Sequence, residues 1–189
     1  MRPLSSHTIG PFFPKTFFRE GDNDLARVAP GALPSRRGTP IRLHGRVLRE
    51  GGLPCINAIL EAWQADAAGR FRHPADPDWA QADPDFLGWG RAWTDAEGYY
   101  EFHTLLPGAF LDRAPHVNLL VMASGLMQPV ATTLFFPQFA EANAADPVLN
   151  LLPPPLRPRL VASPDNDGGY RLDIRLRGSP AEETPFFET

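Results

Sequence analysis

The sequence predicts an all-β protein: an antiparallel β-sandwich with a long N-terminal arm rich in aromatics and prolines, and one short helix. Two observations indicate this class. Short runs of residues alternate between apolar and polar at a period of two, which is the spacing of a half-buried strand. Glycine and proline turns separate these runs, and 22 of the 189 residues are proline. Prolines spread along the whole chain disfavour long helices.

Residues 1–40 form the predicted arm, because they show no sustained periodicity yet contain six prolines and four phenylalanines. A solvated tail would not carry so many aromatic side chains. We therefore expect the arm to dock, either on its own domain or on a partner chain. Residues 41–189 form the predicted sandwich domain.

The first half of this domain predicts strands and a long loop. IRLHGRVLRE, which starts at residue 41, alternates at period two, and NAILEAWQAD at 57–66 follows the Gly51-Gly52 turn. GRFRHP predicts a third extended piece. Many aspartates and prolines make residues 74–88 a long loop.

The second half predicts the remaining strands. GRAWTD at 90–95 and YYEFHTL at 99–105 flank the turn A-E-G and predict a β-hairpin. HVNLLVMAS at 116–124 and VATTLFF at 130–136 predict two further strands around Gly125.

The C-terminal part contains the predicted helix, PQFAEANAADP at residues 137–147, which ends at a proline. The segment PPPLRPRL is rich in proline and predicts extended chain. YRLDIRLRG at 170–178 alternates cleanly between apolar and charged residues, which predicts a last strand after a glycine turn.

Composition excludes several function classes. The net charge is −4 with no basic stripe, so we expect no nucleic-acid partner. No apolar run approaches the ~20 residues that span a bilayer, and the N-terminus lacks the apolar segment of a signal peptide. Cys55 is the one cysteine, so no intrachain disulfide can form. These features favour a cytoplasmic protein without a membrane partner.

Motifs of common catalytic sites are absent from the sequence. The five histidines show none of the close spacings of metal ligands, and no HExxH, CxxC, GxSxG or phosphate-binding loop occurs. Cys55 follows a proline in an apolar stretch, which favours a buried, inert thiol. His116 starts a strand, and Asn118 shares its face two residues later, where a second histidine would complete a ligand pair.

Longer strings carry a family resemblance. LEAWQADAAGRFRHP, GRAWTDAEGYYEFHTLLPG, APHVN and DPVLNLL resemble the intradiol aromatic-ring dioxygenases, and within them the alpha chains of protocatechuate 3,4-dioxygenases. The resemblance runs from about Thr8 to the PFF at 185–187. It implies a β-sandwich and a non-haem Fe(III) ion held by two tyrosinates and two histidines.

The resemblance places these four ligand positions at Phe71, Phe110, His116 and Asn118. A phenyl ring has no oxygen to donate to a hard ferric ion, and one imidazole with one amide makes a weak site. We therefore expect no metal, cofactor or catalytic residue in this chain. The resemblance implies that Fe(III) lies in a homologous beta-type partner within a hetero-oligomer.

The resemblance also implies that the arm and one strand wall the partner's active site. The residues concerned are Thr8, Ile9, Gly10, Pro11, Phe12 and Thr133. Phe12 stands where relatives carry a tyrosine, so any hydroxyl contact there is lost. Thr133 stands where some relatives carry an arginine facing the substrate carboxylate, and a threonine cannot form that charge-paired fork.

The expected function is that of an iron-free alpha subunit, inactive in isolation. The complex would cleave protocatechuate (3,4-dihydroxybenzoate) with O2 to 3-carboxy-cis,cis-muconate, in the catabolism of aromatic compounds. Two alternatives stay open from the residues alone. One is a self-sufficient dioxygenase with unusual ligands, and the other is a stand-alone β-sandwich binding module for aromatic or sugar ligands.

Overall fold

Two β-sheets packed face to face make up the computed structural model, which describes residue 13, residues 17–179 and residues 181–187. The predicted sandwich is confirmed. The first sheet contains β1 (Pro40–Leu48), β4 (Tyr99–Leu105), β7 (Ser163–Pro164), β8 (Tyr170–Arg171) and β9 (Ile174–Arg175). The second sheet contains, in spatial order, β3 (Trp89–Trp93), β2 (Ile59–Trp63), β5 (His116–Met122) and β6 (Val130–Phe135).

The core lies between the sheets and follows the period of two in the sequence. In β1, Leu43, Gly45 and Val47 are buried, whereas His44 and Arg46, which alternate with them, are more exposed. Phe102 of β4 belongs to the same buried cluster as Val117 and Val121 of β5. Alternate residues of β5 therefore point away from the core, and these carry the candidate site.

Part of the predicted arm packs into this core. Leu25 is fully buried, and its N–H donates to the carbonyl of His103 on β4 at 2.8 Å. Gly90 on β3 makes room for it, because a Cβ there would lie 2.4 Å from Leu25 Cδ1. The domain boundary at residue 40 stays a prediction.

The predicted β-hairpin of residues 90–95 and 99–105 is wrong. β3 pairs with β2, whereas β4 pairs with β1 in the other sheet. The turn itself forms: the N–H of Gly98 donates to the carbonyl of Asp95, with Gly98 at φ +73°. Turn residues specify a chain reversal, but burial of the strand faces decides which strand each segment joins.

Other segments also differ from expectation. GRFRHP lies in a loop rather than a strand. PPPLRPRL is not extended, because Pro154–Leu160 forms a 3₁₀ helix, which suits the fixed φ of proline equally well. The strand expected at 170–178 is split into β8 and β9, and both pair with β1 in parallel.

The predicted helix is confirmed as α1 (Ala140–Ala145), which follows a 3₁₀ turn at Pro137–Phe139. Within the described part of the chain, no helix combines the length and apolar character needed to cross a membrane.

Candidate functional site

Two loops interlock at the end of the second sheet. The loop after β2 is held by the buried Asp66, whose carboxylate accepts N–H groups of Ala68 and Arg70 at 2.9 Å and of Asp83 at 2.8 Å. In the loop after β4, the N–H of Gly108 donates to the carbonyl of Asp66 at 2.9 Å. The WQAD and PG motifs of the sequence are therefore the two halves of one contact.

Gly69 makes this contact possible, which gives a stability prediction. Its φ is +81°, and a Cβ there would lie 1.8 Å from the carbonyl oxygen of Ala109. Gly69→Ala is expected to lower the free energy of unfolding by about 2–4 kcal/mol, from backbone strain plus displacement of the facing loop. Gly125→Ala is the matched control, since Gly125 has φ +92° with nothing within 4 Å. If urea unfolding showed equal losses of unfolding free energy for Gly69→Ala and Gly125→Ala, the interlock would be contradicted.

The interlock brings Phe71 and Phe110 together. Their ring centroids are 4.8 Å apart with the planes at 88°, an edge-to-face contact. Phe71 also contacts Trp63 at the end of β2, at 5.6 Å between centroids. Its N–H donates to the buried carboxylate of Asp76 at 2.6 Å, which fixes its backbone. Two of the four expected ligand positions are thus a packed pair of carbon rings.

His116 and Asn118 lie on the outward face of β5, as the strand spacing predicts. His116 is 5% exposed, and its Nδ1 lies 2.7 Å from the carbonyl oxygen of Ala114. That geometry makes Nδ1 the protonated nitrogen, because a carbonyl can only accept. Burial lowers the pKa of His116, so the imidazole is neutral at pH 7.

Asn118 is joined to its neighbours on both sides. Thr133 of β6 faces it, and the Thr133 hydroxyl donates to Asn118 Oδ1 at 3.2 Å. On the other side, Asn118 is the register partner of Trp63. Trp63 is thus a neighbour of Asn118 in the sheet and of Phe71 through its ring, and His116 lies two residues from Asn118 on the same face of β5.

A cavity of about 410 Å³ opens beside Asn118 on this outer face. Its lining includes Trp63, Trp89, Arg113, Asn118, Thr133 and Phe187. Thr133 is only 4% exposed and lies in this chain's own cavity. Its role in a partner's site stays a prediction. The positions Thr8, Ile9, Gly10, Pro11 and Phe12 lie outside the described residues.

Sequence reasoning missed the ion pair of Arg113 with Asp146. Arg113 Nε donates to Asp146 Oδ2 at 2.8 Å, and the aspartate side chain is fully buried. The same carboxylate accepts the N–H groups of Ala114 and Leu149, at 2.9 and 2.8 Å. A buried aspartate needs several donors, but the Arg113 partner lies 33 positions away, so no local pattern in the sequence marks Asp146.

The donors present at the four positions do not fit a ferric ion. Phe71 and Phe110 have no lone pair, Asn118 offers a neutral oxygen already bonded to Thr133, and His116 has one free ring nitrogen. Hard ferric iron prefers anionic oxygen ligands, and none of these groups supplies one. Elsewhere in the described residues, no group of three or more His, Cys, Asp and Glu side chains could hold a metal.

Comparisons with known proteins identify the family. A family model described as Dioxygenase matches residues 9–178. A protocatechuate 3,4-dioxygenase alpha chain from Burkholderia cepacia is 36% identical over 201 aligned residues, covering 100% of this chain and 98% of that protein. A beta chain from the same species is 39% identical over 178 residues, covering 85% of this chain and 73% of that one.

Solved structures share the architecture. The dioxygenase domain of a fusion protein from Streptomyces sp. SirexAA-E superposes with a TM-score of 0.60 at 22% identity, covering 94% of this chain and 100% of that one. An intradiol ring-cleavage dioxygenase from Tetranychus urticae superposes with a TM-score of 0.55 at 16% identity, covering 95% of this chain and 98% of that one. These identities show the fold alone, but the family match and the full-length alpha-chain relative show more: the chain belongs to the intradiol dioxygenase family.

Proposed function

We propose that this chain is the iron-free alpha subunit of a protocatechuate 3,4-dioxygenase. The observation that carries the proposal is the contact of Phe71 with Phe110, 4.8 Å between ring centroids. Both positions at which the family resemblance implies a tyrosinate are occupied by carbon rings packed on each other. A chain without ferric ligands would contribute to ring cleavage beside a chain that has them.

Identity alone does not separate an alpha from a beta assignment, because the two relatives from Burkholderia cepacia are 36% and 39% identical. Coverage favours the alpha chain, of which 98% is matched, against 73% of the beta chain. The missing ligand set supports the same choice, since the beta-type chain is the expected carrier of Fe(III).

The complex would cleave protocatechuate with O2 between its two hydroxyl-bearing carbons, giving 3-carboxy-cis,cis-muconate, in the cytoplasm. This chain's part is assembly and shaping of the partner's pocket, through residues 8–12 and Thr133. Because threonine carries no charge to pair with the substrate carboxylate, either the partner chain supplies that contact or the substrate differs from protocatechuate.

Co-expression with a beta-type chain that carries both tyrosines and an H-x-H pair tests the proposal. We expect the two chains to co-purify, with iron stoichiometric to the beta-type chain and with loss of the protocatechuate absorbance when O2 is present. The isolated alpha-type chain is the control and should show no turnover. Stoichiometric, tyrosinate-coloured iron in that isolated chain would contradict the proposal and favour a self-sufficient enzyme.

The cavity favours a second candidate, a binding module for aromatic or sugar ligands. Two tryptophans, Trp63 and Trp89, line its wall, and flat aromatic faces suit either ligand class. This second function is supported if the co-expressed chains fail to associate and if the tryptophan fluorescence of the isolated chain changes saturably with added benzoates or sugars. If the fluorescence of the isolated chain does not change, the cavity does not have this binding role.

A further inference from the structure

Arg91 lies at the centre of an aromatic cluster on the outer face of β3. Its Nε and Nη2 both donate to Glu61 Oε1 on β2, at 2.9 and 2.5 Å. Its Nη1 donates to the carbonyl oxygen of Phe17 at 2.9 Å. The guanidinium carbon also lies 3.9 Å from the centre of the Phe17 ring and 5.3 Å from that of Trp89. We call Glu61, Arg91 and Phe17 the arginine clasp.

The next residue of the arm repeats the attachment. Phe18 packs on Trp93 with 4.6 Å between ring centroids, and its ring also meets Phe17 at 5.8 Å. Trp93 remains 49% exposed, so Phe18 covers only part of it. Two consecutive side chains thus attach the arm to the strand that forms the edge of the second sheet.

The clasp depends on the particular shape of arginine. One guanidinium donates hydrogen bonds to a carboxylate and to a backbone carbonyl and also packs on an aromatic ring, along three different directions. The side chains of Arg91 and Glu61 are only 17% and 23% exposed, so solvent screens this pair less than an ordinary surface pair. Lysine has one compact charge and cannot fill all three roles.

From this geometry we infer that Arg91 is a positioning residue, which fixes the arm at Phe17 and Phe18 on the edge strand β3. The inference rests on the proposed function, in which the arm walls a partner's pocket. Without the clasp, the arm keeps the contact of Phe18 with Trp93 but loses the guanidinium that holds Phe17.

Chymotrypsin cleavage after Phe17 and Phe18 in the isolated chain tests the clasp itself. Arg91→Met is expected to speed this cleavage about five- to tenfold, the factor expected when about 1 kcal/mol of cation–π contact is lost. Arg91→Lys should do the same, and it serves alone if Arg91→Met fails to fold. The control is Arg171→Met, because Arg171 pairs with Asp173 at 2.7 Å, far from the arm in sequence. Equal cleavage of wild type and both Arg91 variants overturns the clasp.

The complex with a beta-type chain tests the positioning role. Arg91→Met should raise KM for protocatechuate several-fold while kcat and iron content stay near wild type, because the pocket wall is displaced and the iron is not. A purely structural role would lower the amount of complex and leave KM unchanged, which would overturn the inference. If wild type gives no complex or turnover, the proposed function fails with the positioning role, and faster cleavage alone still supports the clasp.

Discussion

Replacing Phe71 and Phe110 with tyrosine and Asn118 with histidine is expected to give the isolated chain a ferric site. The rings of Phe71 and Phe110 are already in contact, and Trp63 neighbours both Phe71 and Asn118. His116 is prepared for ligation, because its Nδ1–H is held by Ala114 and its lowered pKa keeps Nε2 unprotonated. What is missing is anionic oxygen, which two tyrosines supply.

The measurement is iron content after reconstitution, together with the visible absorption that tyrosinate gives when bound to Fe(III). We expect about one iron per triple-variant chain and none bound tightly by wild type. Asn118→His alone is the control, since it restores the imidazole pair without the charged oxygens, and it should stay colourless. A triple variant that folds but binds no iron would show that the loops, and not only the donor atoms, have diverged.

The sandwich could be predicted because burial imposes a period of two on each strand. YYEFHTL marks β4 at Tyr99–Leu105 without error, and Phe102 within it points into the core as its place in the pattern requires. The partner of each strand could not be predicted. β3 and β4 are joined by a tight turn, yet they lie in different sheets, because pairing depends on surfaces distant in the sequence.

The candidate site likewise has residues that could be predicted from the sequence and residues that could not. Phe71 and Phe110 could be identified through the family resemblance, whose motifs include Gly69 and Gly108, and those glycines lie where the loops interlock. Arg91 and Asp146 could not be identified, because the residue that pairs with each lies about 30 or more positions away in the sequence. Single charged residues in apolar segments carry no local pattern that distinguishes a buried pair from a solvated charge.

Removing the carboxylate of Asp146 is expected to destabilise the fold more than any other single change considered. Asp146→Ala leaves Arg113 without its partner and also leaves the N–H groups of Ala114, Val148 and Leu149 without an acceptor. Breaking a buried pair from one side costs about 3–5 kcal/mol. Arg113 has little room to adapt, because its Nη2 is already buried with no hydrogen-bond partner among the described residues.

Asp173→Ala is the matched control, because Asp173 pairs with Arg171 at 2.7 Å, close to the 2.8 Å of the buried pair. The two pairs differ in exposure: the Arg171 and Asp173 side chains are 52% and 29% exposed, against 19% and 0% for Arg113 and Asp146. The exposed pair should therefore contribute at most about 1 kcal/mol in urea unfolding. Similar losses for both variants would mean that burial is not what makes the Asp146 pair important.

Acid titration separates the charge of Asp146 from its shape. Burial raises the pKa of this carboxyl, but the N–H of Leu149, the Arg113 guanidinium and the N–H of Ala114 together outweigh burial and hold it below its ordinary value. A lowered folded-state pKa means that the stabilisation is complete above the unfolded value, about 3.9, and is lost as pH falls through the folded value. Asp146→Asn keeps the shape without the charge. Wild type should therefore lose its stability advantage over this variant only below about pH 4, and equal stability of the two proteins at pH 7 would show that the charge adds nothing to the shape.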